Sequence, residues 1–258
     1  MPPTREAPAE ERVKPLLRRL KKAYPDATIA LDFTTPLECV VATILSAQST
    51  DVRVNIVTKD LFRKYRRPED YLAAAEEELQ VDIQSTGFFR QKTKALRGMA
   101  QTLIDEFDGE VPRRVKDLLK LKGVARKTAN VVQSACFPEE VRKDPDAGIA
   151  VDTHVGRVAV RLGLTTYDSK EAVPIERDLM RLVPRKDWPI LSYLFIDHGR
   201  TICDAKRPRC GECPVEALCP SSQEAGLPDL YRVTAKRAAR PKQPAEPKVV
   251  PAKVRPEA

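Results

Sequence analysis

Residues 121–132 read LKGVARKTANVV, and this stretch decides how the chain is built. Small or apolar residues at Ala125, Ala129, Val132 and Cys136 recur at helical spacing, which predicts a helix from about Arg126 onward with that stripe buried. Lys127 lies two residues from Ala125 and from Ala129, about 200° around the axis at about 100° per residue, so it points away from the stripe. Upstream, VPRRVKDLL puts Pro112 in a first turn and apolar residues at Val115, Leu118 and Leu119, predicting a second helix that ends near Leu121. Only Lys122 to Ala125 remain to reverse the chain, and Gly123 is the residue able to turn left-handed there without penalty. The stretch reads as helix, hairpin, helix. A tight helix corner with a solvated lysine satisfies the same signals.

Working outward, a first helix is expected from about Pro8 to Lys22, with Val13, Leu16, Leu17 and Leu20 on one face. In TTPLECVVATILSA, Thr35 is an N-cap, Pro36 the first helical residue and Glu38 the partner of a capping box. Thr50 caps a helix carrying Val54, Val57, Leu61 and Phe62. Further helices fit YLAAAEEELQ, KTKALRGMAQTLIDEF, THVGRVAVRLG, SKEAVPIERDLMRLV and WPILSYLFIDHGR, and no series of alternating strands appears, so the expected class is all-α. The charged segment FPEEVRKDPDAGIA at 137–150 is the natural crossover between two helical lobes. Asp152 follows it as an N-cap, with Gly163 as terminator. Lys127 and Asp152 thus belong at helix starts on either side of a lobe crossing, and a cleft between lobes is a favoured place for a site.

With 258 residues and 42% apolar composition the chain supports real cores, and no run approaches the ~18 apolar residues of a membrane helix. The start, MPPTREAPAEERVK, lacks the apolar segment of a signal peptide, so a soluble cytoplasmic protein is expected. The net charge of +8 is uneven: the last 24 residues hold seven Lys or Arg, two Glu and five Pro, contributing +5. Such a segment cannot build a core, so residues 223–258 are expected to be a basic, proline-rich and mostly disordered tail. Its charge serves solubility or a loose, salt-sensitive attraction to DNA phosphates.

Four of six cysteines crowd into TICDAKRPRCGECPVEALCP, where Cys203, Cys210, Cys213 and Cys219 give C-x6-C-x2-C-x5-C. Four thiolates so close in sequence can close on one soft metal centre, and the spacing leaves Zn and an iron–sulfur cluster both open. Folding around it would hold Lys206, Arg207 and Arg209 as a basic knob suited to phosphates.

Together LSAQSTD at 45–51, the hairpin stretch, VDTHVGRV at 151–158 and the four-cysteine loop resemble endonuclease III, a family of bifunctional DNA glycosylase and abasic-site lyases in the helix-hairpin-helix superfamily. The resemblance spans roughly residues 10–222. It implies two helical lobes with damaged double-stranded DNA in the cleft: a six-helix barrel over 30–140 carrying the hairpin, and a [4Fe-4S] cluster lobe built from 8–29 and 141–222. It implies a base-excision repair enzyme that removes oxidised pyrimidines and cuts at the abasic site by β-elimination, acting as a bacterial, nucleoid-associated monomer without membrane attachment.

By that resemblance Lys127 is the nucleophile, since only a primary amine becomes an iminium ion with the opened sugar. Arg126 and the helix terminus would favour its uncharged form. Asp152 is the essential carboxylate, stabilising positive charge on the sugar. The hairpin, Lys122, Gly123, Val124 and Ala125, binds phosphate through backbone N–H groups, often around a small cation. Here the sequence departs from the family's Leu-Pro-Gly-Val-Gly: Lys122 replaces proline, and Ala125 replaces the second glycine, which is tolerable if it keeps negative φ. Gln48 fills the space of the flipped nucleotide; Phe88 stands where a leucine wedge is common, with Arg90 and Lys92 facing the DNA backbone. Adenine glycosylases of the same superfamily fit less well, because they usually lack the lysine and carry a further C-terminal domain. A lyase-only or non-catalytic DNA-binding protein of the same fold is the remaining alternative.

Overall fold

Where apolar residues surround a helix on all sides, that helix must lie inside others. This is the situation of α2 (Pro36–Leu45), in which Leu37 and every residue from Cys39 to Leu45 are buried. The Thr35 oxygen accepts the Glu38 N–H at 3.2 Å and Glu38 reaches back to the Thr35 N–H, so the expected capping box forms. In the structure, a computed structural model that describes residues 3–238, α3 (Asp51–Lys64), α4 (Pro68–Ala73), α5 (Glu76–Ile83), α6 (Phe89–Phe107), α7 (Val115–Leu118) and α8 (Arg126–Cys136) build one core with α2 at its centre. Its buried side chains run from Leu31 to Phe137.

The second core draws on both ends of the sequence. The apolar stripe of α1 (Ala9–Ala23), with Val13, Leu16, Leu17 and Leu20 buried, packs with α9 (Thr153–Arg161), α10 (Ala172–Leu182) and α11 (Trp188–Thr201). Buried Arg12 fastens α1 by donating to the carbonyls of Leu162 at 2.6 Å and Leu218 at 3.0 Å. The described residues contain no strand and no helix long and apolar enough to cross a membrane, and the all-α expectation of two helical lobes holds.

Between the cores the crossover is mostly without regular structure apart from a single turn at Glu140–Arg142, and it is tied down by Asp144. This carboxylate, 1% exposed, accepts the Val115 N–H at 2.7 Å and the Gln133 amide at 2.6 Å. Burial opposes its ionisation, but those donors and the Asp146 N–H more than offset this and hold its carboxyl below the ordinary value.

One expectation needs correction, and another is refined within the described residues. The helix before the hairpin is only Val115–Leu118, because Asp144 caps its start and the chain turns again at once through Leu119 to Leu121. The segment after residue 222 is not wholly disordered: α12 (Leu230–Ala238) packs on α9. Its anchor is Asp229, whose carboxylate takes both arms of Arg161 at 2.9 and 3.0 Å, with side chains 7% and 3% exposed. A buried aspartate facing a buried arginine outweighs the tail's composition as far as the helix runs. The remaining tail, 239–258, lies outside the described residues.

Candidate active site

The hairpin comes first in building the site, because it sets where α8 begins. Gly123 has φ +82°, and a Cβ there would stand 2.8 Å from the Ala95 Cβ, so glycine is required twice over. Ala125 has φ −90°, the backbone at which its methyl is tolerated. Lys122 lays its stem close to Gly98 and keeps its head exposed. The Val124 N–H is taken by the Leu121 carbonyl at 3.0 Å and its side chain is buried, so Val124 holds the turn together and does not offer its amide to phosphate. That corrects its assignment as a DNA contact; among the described residues the N–H groups of Lys122, Gly123 and Ala125 have no backbone acceptor.

Lys127 is the second residue of α8 and Asp152 is the N-cap of α9, accepting the Val155 N–H at 2.7 Å. The two helices belong to different cores, and their starts meet at a cavity of about 300 Å³ between the lobes, lined by both residues. Exposed Lys127 has no ion pair among the described residues. Arg126 is turned away from it: its guanidinium sits 3.0 Å from buried Glu176, which also accepts the Asn130 amide at 2.9 Å. This pairing holds α8 against α10.

Gln48 lines the same cavity and is exposed with φ +55°; Phe88 is 57% exposed with φ +49°. Left-handed backbone is costly for both residue types, and the two loop tips that resemble the family's inserting residues are two of the three non-glycine positions with positive φ among the described residues, Asp108 being the other. Phe88 is no core aromatic. Its neighbour Phe89 packs on the first core, and exposed Arg90 lies over the Phe89 ring at 5.0 Å.

Lys92 does not face DNA. It is 5% exposed, and its ammonium donates to the carbonyls of Leu45 at 2.7 Å and Thr86 at 2.8 Å. It ties the start of the Gln48 loop to the start of the Phe88 loop, an internal strut that the charge alone had suggested was a backbone contact. Burial holds its ammonium below the usual lysine value.

Across the cavity mouth Asp51 of α3 pairs with Arg200 of α11 at 2.7 Å, joining the lobes. Sequence spacing gave no hint of this pair, of Tyr193 on the cavity wall, or of Tyr231 from α12, which lines an adjoining depression with Lys127 and Asp152. His154 is the second residue of α9, two positions after Asp152; because arginine can only donate, its Nδ1 accepts from Arg157 Nη2 at 3.1 Å, and Arg157 also donates to the carbonyls of Gly199 and Cys203.

Cys203, Cys210, Cys213 and Cys219 all line one small cavity. No group of three or more His, Cys, Asp or Glu among the described residues stands close enough to hold a single metal ion. Arg161 Nη1 donates to the Cys203 sulfur at 3.4 Å, and burial pushes the Cys213 and Cys219 thiols up to about 12. A bound metal's charge would hold them as thiolates. On the loop between the first two cysteines, Lys206, Arg207 and Arg209 are exposed; Asp204 accepts the Lys206 and Arg207 N–H groups, and the Ile202 carbonyl accepts that of Arg209. Arg209 is paired with Glu212 at 3.0 Å.

An all-α, two-core fold with a helix-hairpin-helix and a lysine–aspartate pair in the cleft defines a class, and residues 41–185 match the family of HhH-GPD superfamily base excision DNA repair proteins. The endonuclease III of a Synechocystis strain is 48% identical over 217 residues, covering 84% of this chain and 95% of that protein. A solved non-covalent endonuclease III–DNA complex superposes with a TM-score of 0.75 at 41% identity, covering 84% of this chain and 98% of that one. A trapped endonuclease III–DNA covalent intermediate, with an estranged adenine, matches with the same TM-score, identity and coverage. The chain belongs to the endonuclease III family of base-excision repair enzymes.

Proposed function

We propose that this enzyme removes oxidised pyrimidines from duplex DNA with Lys127 as nucleophile and then cuts the abasic strand. The observation that carries the reading is the meeting of Lys127 and Asp152, from different cores, at one interlobe cavity. Glycosylase and abasic-site lyase activity is the activity of the family. The Lys127 amine attacks C1′ of the flipped nucleotide, the C1′–N bond breaks, and the base leaves with its electron pair and takes up a proton. Loss of the amine proton and ring opening give an iminium ion, which acidifies C2′–H; removal of that proton expels the 3′ phosphate. Asp152 stabilises positive charge as it develops on the sugar, and its bond to the Val155 N–H fixes it for that task. The covalent intermediate solved for a 41% identical relative supports this route.

Gln48 and Phe88 are the residues we assign to the space of the flipped nucleotide, with Gly123 and Ala125 on phosphate, directly or through a cation held at the hairpin. Lys122, Arg90, Lys206, Arg207 and Arg209 supply charge along the duplex. We assign the [4Fe-4S] cluster to Cys203, Cys210, Cys213 and Cys219: all four residues line one cavity, and a four-iron cube spaces its thiolates more widely than one zinc ion does. When bound, the cluster supplies a rigid cross-link beneath the basic loop. The cell compartment this work requires is the bacterial cytoplasm, on the nucleoid, and one copy carries a complete site.

Gel assays on thymine-glycol and abasic duplexes test the reading. The enzyme is expected to cut both. Cutting only the abasic duplex would leave a lyase with a different base substrate, and cutting neither would leave a DNA-binding protein.

A further inference from the structure

Four buried side-chain polar atoms among the described residues have no hydrogen-bond partner in the protein, and two of them, the Tyr193 hydroxyl and Asn130 Oδ1, belong to residues lining the cavity that holds Lys127 and Asp152. Buried polar groups are almost always paired, so two such atoms at one cavity mark a place where a ligand completes the bonding. Tyr193 comes from α11 of one core and Asn130 from α8 of the other. Asn130, 1% exposed, is held by its own amide, which donates to Glu176, leaving its carbonyl oxygen as a fixed acceptor. Burial pushes the Tyr193 phenol up, so it remains a neutral hydroxyl.

We propose that Tyr193, which shares the cavity lining with Asn130, reads the flipped base by a hydrogen bond to its edge, making Tyr193 a specificity-determining residue for base excision. A hydroxyl and an acceptor oxygen lining one cavity can each meet an edge presenting C=O and N–H, the imide edge that a uracil- or thymine-derived base keeps after its 5,6 double bond is saturated. A pocket built to hydrogen-bond its substrate discriminates through the bonds it would otherwise leave unmade. Only a nucleotide that still carries its base engages these groups. This inference rests on the glycosylase reading of the site.

The test is Tyr193→Phe in the full-length enzyme, measuring base release from a dihydrouracil duplex, cleavage of an abasic duplex and thermal unfolding. The expected result is a fall of about tenfold in the ratio of base release to abasic cleavage, the size of one lost hydrogen bond. Because the hydroxyl has no protein partner, the midpoint of unfolding should stay level or rise by about 2–4 °C. An unchanged ratio overturns the proposal. A parallel loss of both activities with a lower midpoint also overturns it, by making Tyr193 a packing residue. If the wild-type enzyme cleaves abasic DNA but releases no dihydrouracil, the pyrimidine reading and this proposal fall together, an outcome distinct from an unchanged ratio in an enzyme that does release the base.

Discussion

At the scale of single residues, the site depends on backbone conformations that side chains usually avoid. Gly123 is the clearest case, with positive φ and no room for a methyl beside Ala95. Gly123→Ala should cost about 1–3 kcal/mol of stability and displace the hairpin donors, lowering affinity for an abasic duplex; chemical unfolding and fluorescence anisotropy measure the two effects. The need for glycine was legible in the sequence, since a four-residue reversal between helices leaves few alternatives. Lys127 and Asp152 were legible for a similar reason: each sits at a helix start marked by local pattern. Lys92 was not. A charged residue's identity says nothing of which carbonyls surround it, and two loop ends distant in sequence, Leu45 and Thr86, capture its ammonium. Tyr193 was equally hidden, because its significance is an unmet hydrogen bond, which only packing can reveal.

At the scale of elements, two carboxylates fasten segments that lack a regular ladder. Asp144 ties the crossover to the start of α7 and to α8. Its folded-state value is depressed, so the stability it contributes is present above the ordinary carboxylate range and is lost as pH falls through the depressed value. Asp144→Asn should therefore cost about 1–3 kcal/mol at neutral pH, with the gap to wild type closing in acid; urea unfolding at both pH values checks it. Asp229 does comparable work for α12. Removing it by Asp229→Ala leaves Arg161 buried without its charge partner, a loss of about 3–5 kcal/mol. Arg161 also holds the carbonyls of Cys203, Asp204 and Ala205, so the same variant should loosen the cysteine loop and release the proposed cluster's visible absorbance on mild heating. The helices of both cores were legible from caps and periodicity. The short α7 and the docked α12 were not, because each is set by a long-range partner, and composition pointed the other way for the tail.

At the scale of the whole molecule, the two cores meet around a cavity to which each contributes one of the two groups we assign to the reaction, so on that assignment catalysis and lobe placement are one property. The Asp51–Arg200 pair across the mouth and the Glu176 network behind α8 hold that placement. DNA binding should weaken steeply with salt, and Lys206→Gln with Arg207→Gln should reduce the slope of log affinity against log salt by about 2, as two phosphate contacts are lost; anisotropy titrations across a salt series would show this. The central claim remains the amine. Reduction with borohydride during reaction on an abasic duplex, followed by proteolysis and mass mapping, should place the sugar adduct on Lys127 and yield no trapped complex from Lys127→Ala. An adduct on another lysine, or undiminished trapping by that variant, would contradict it.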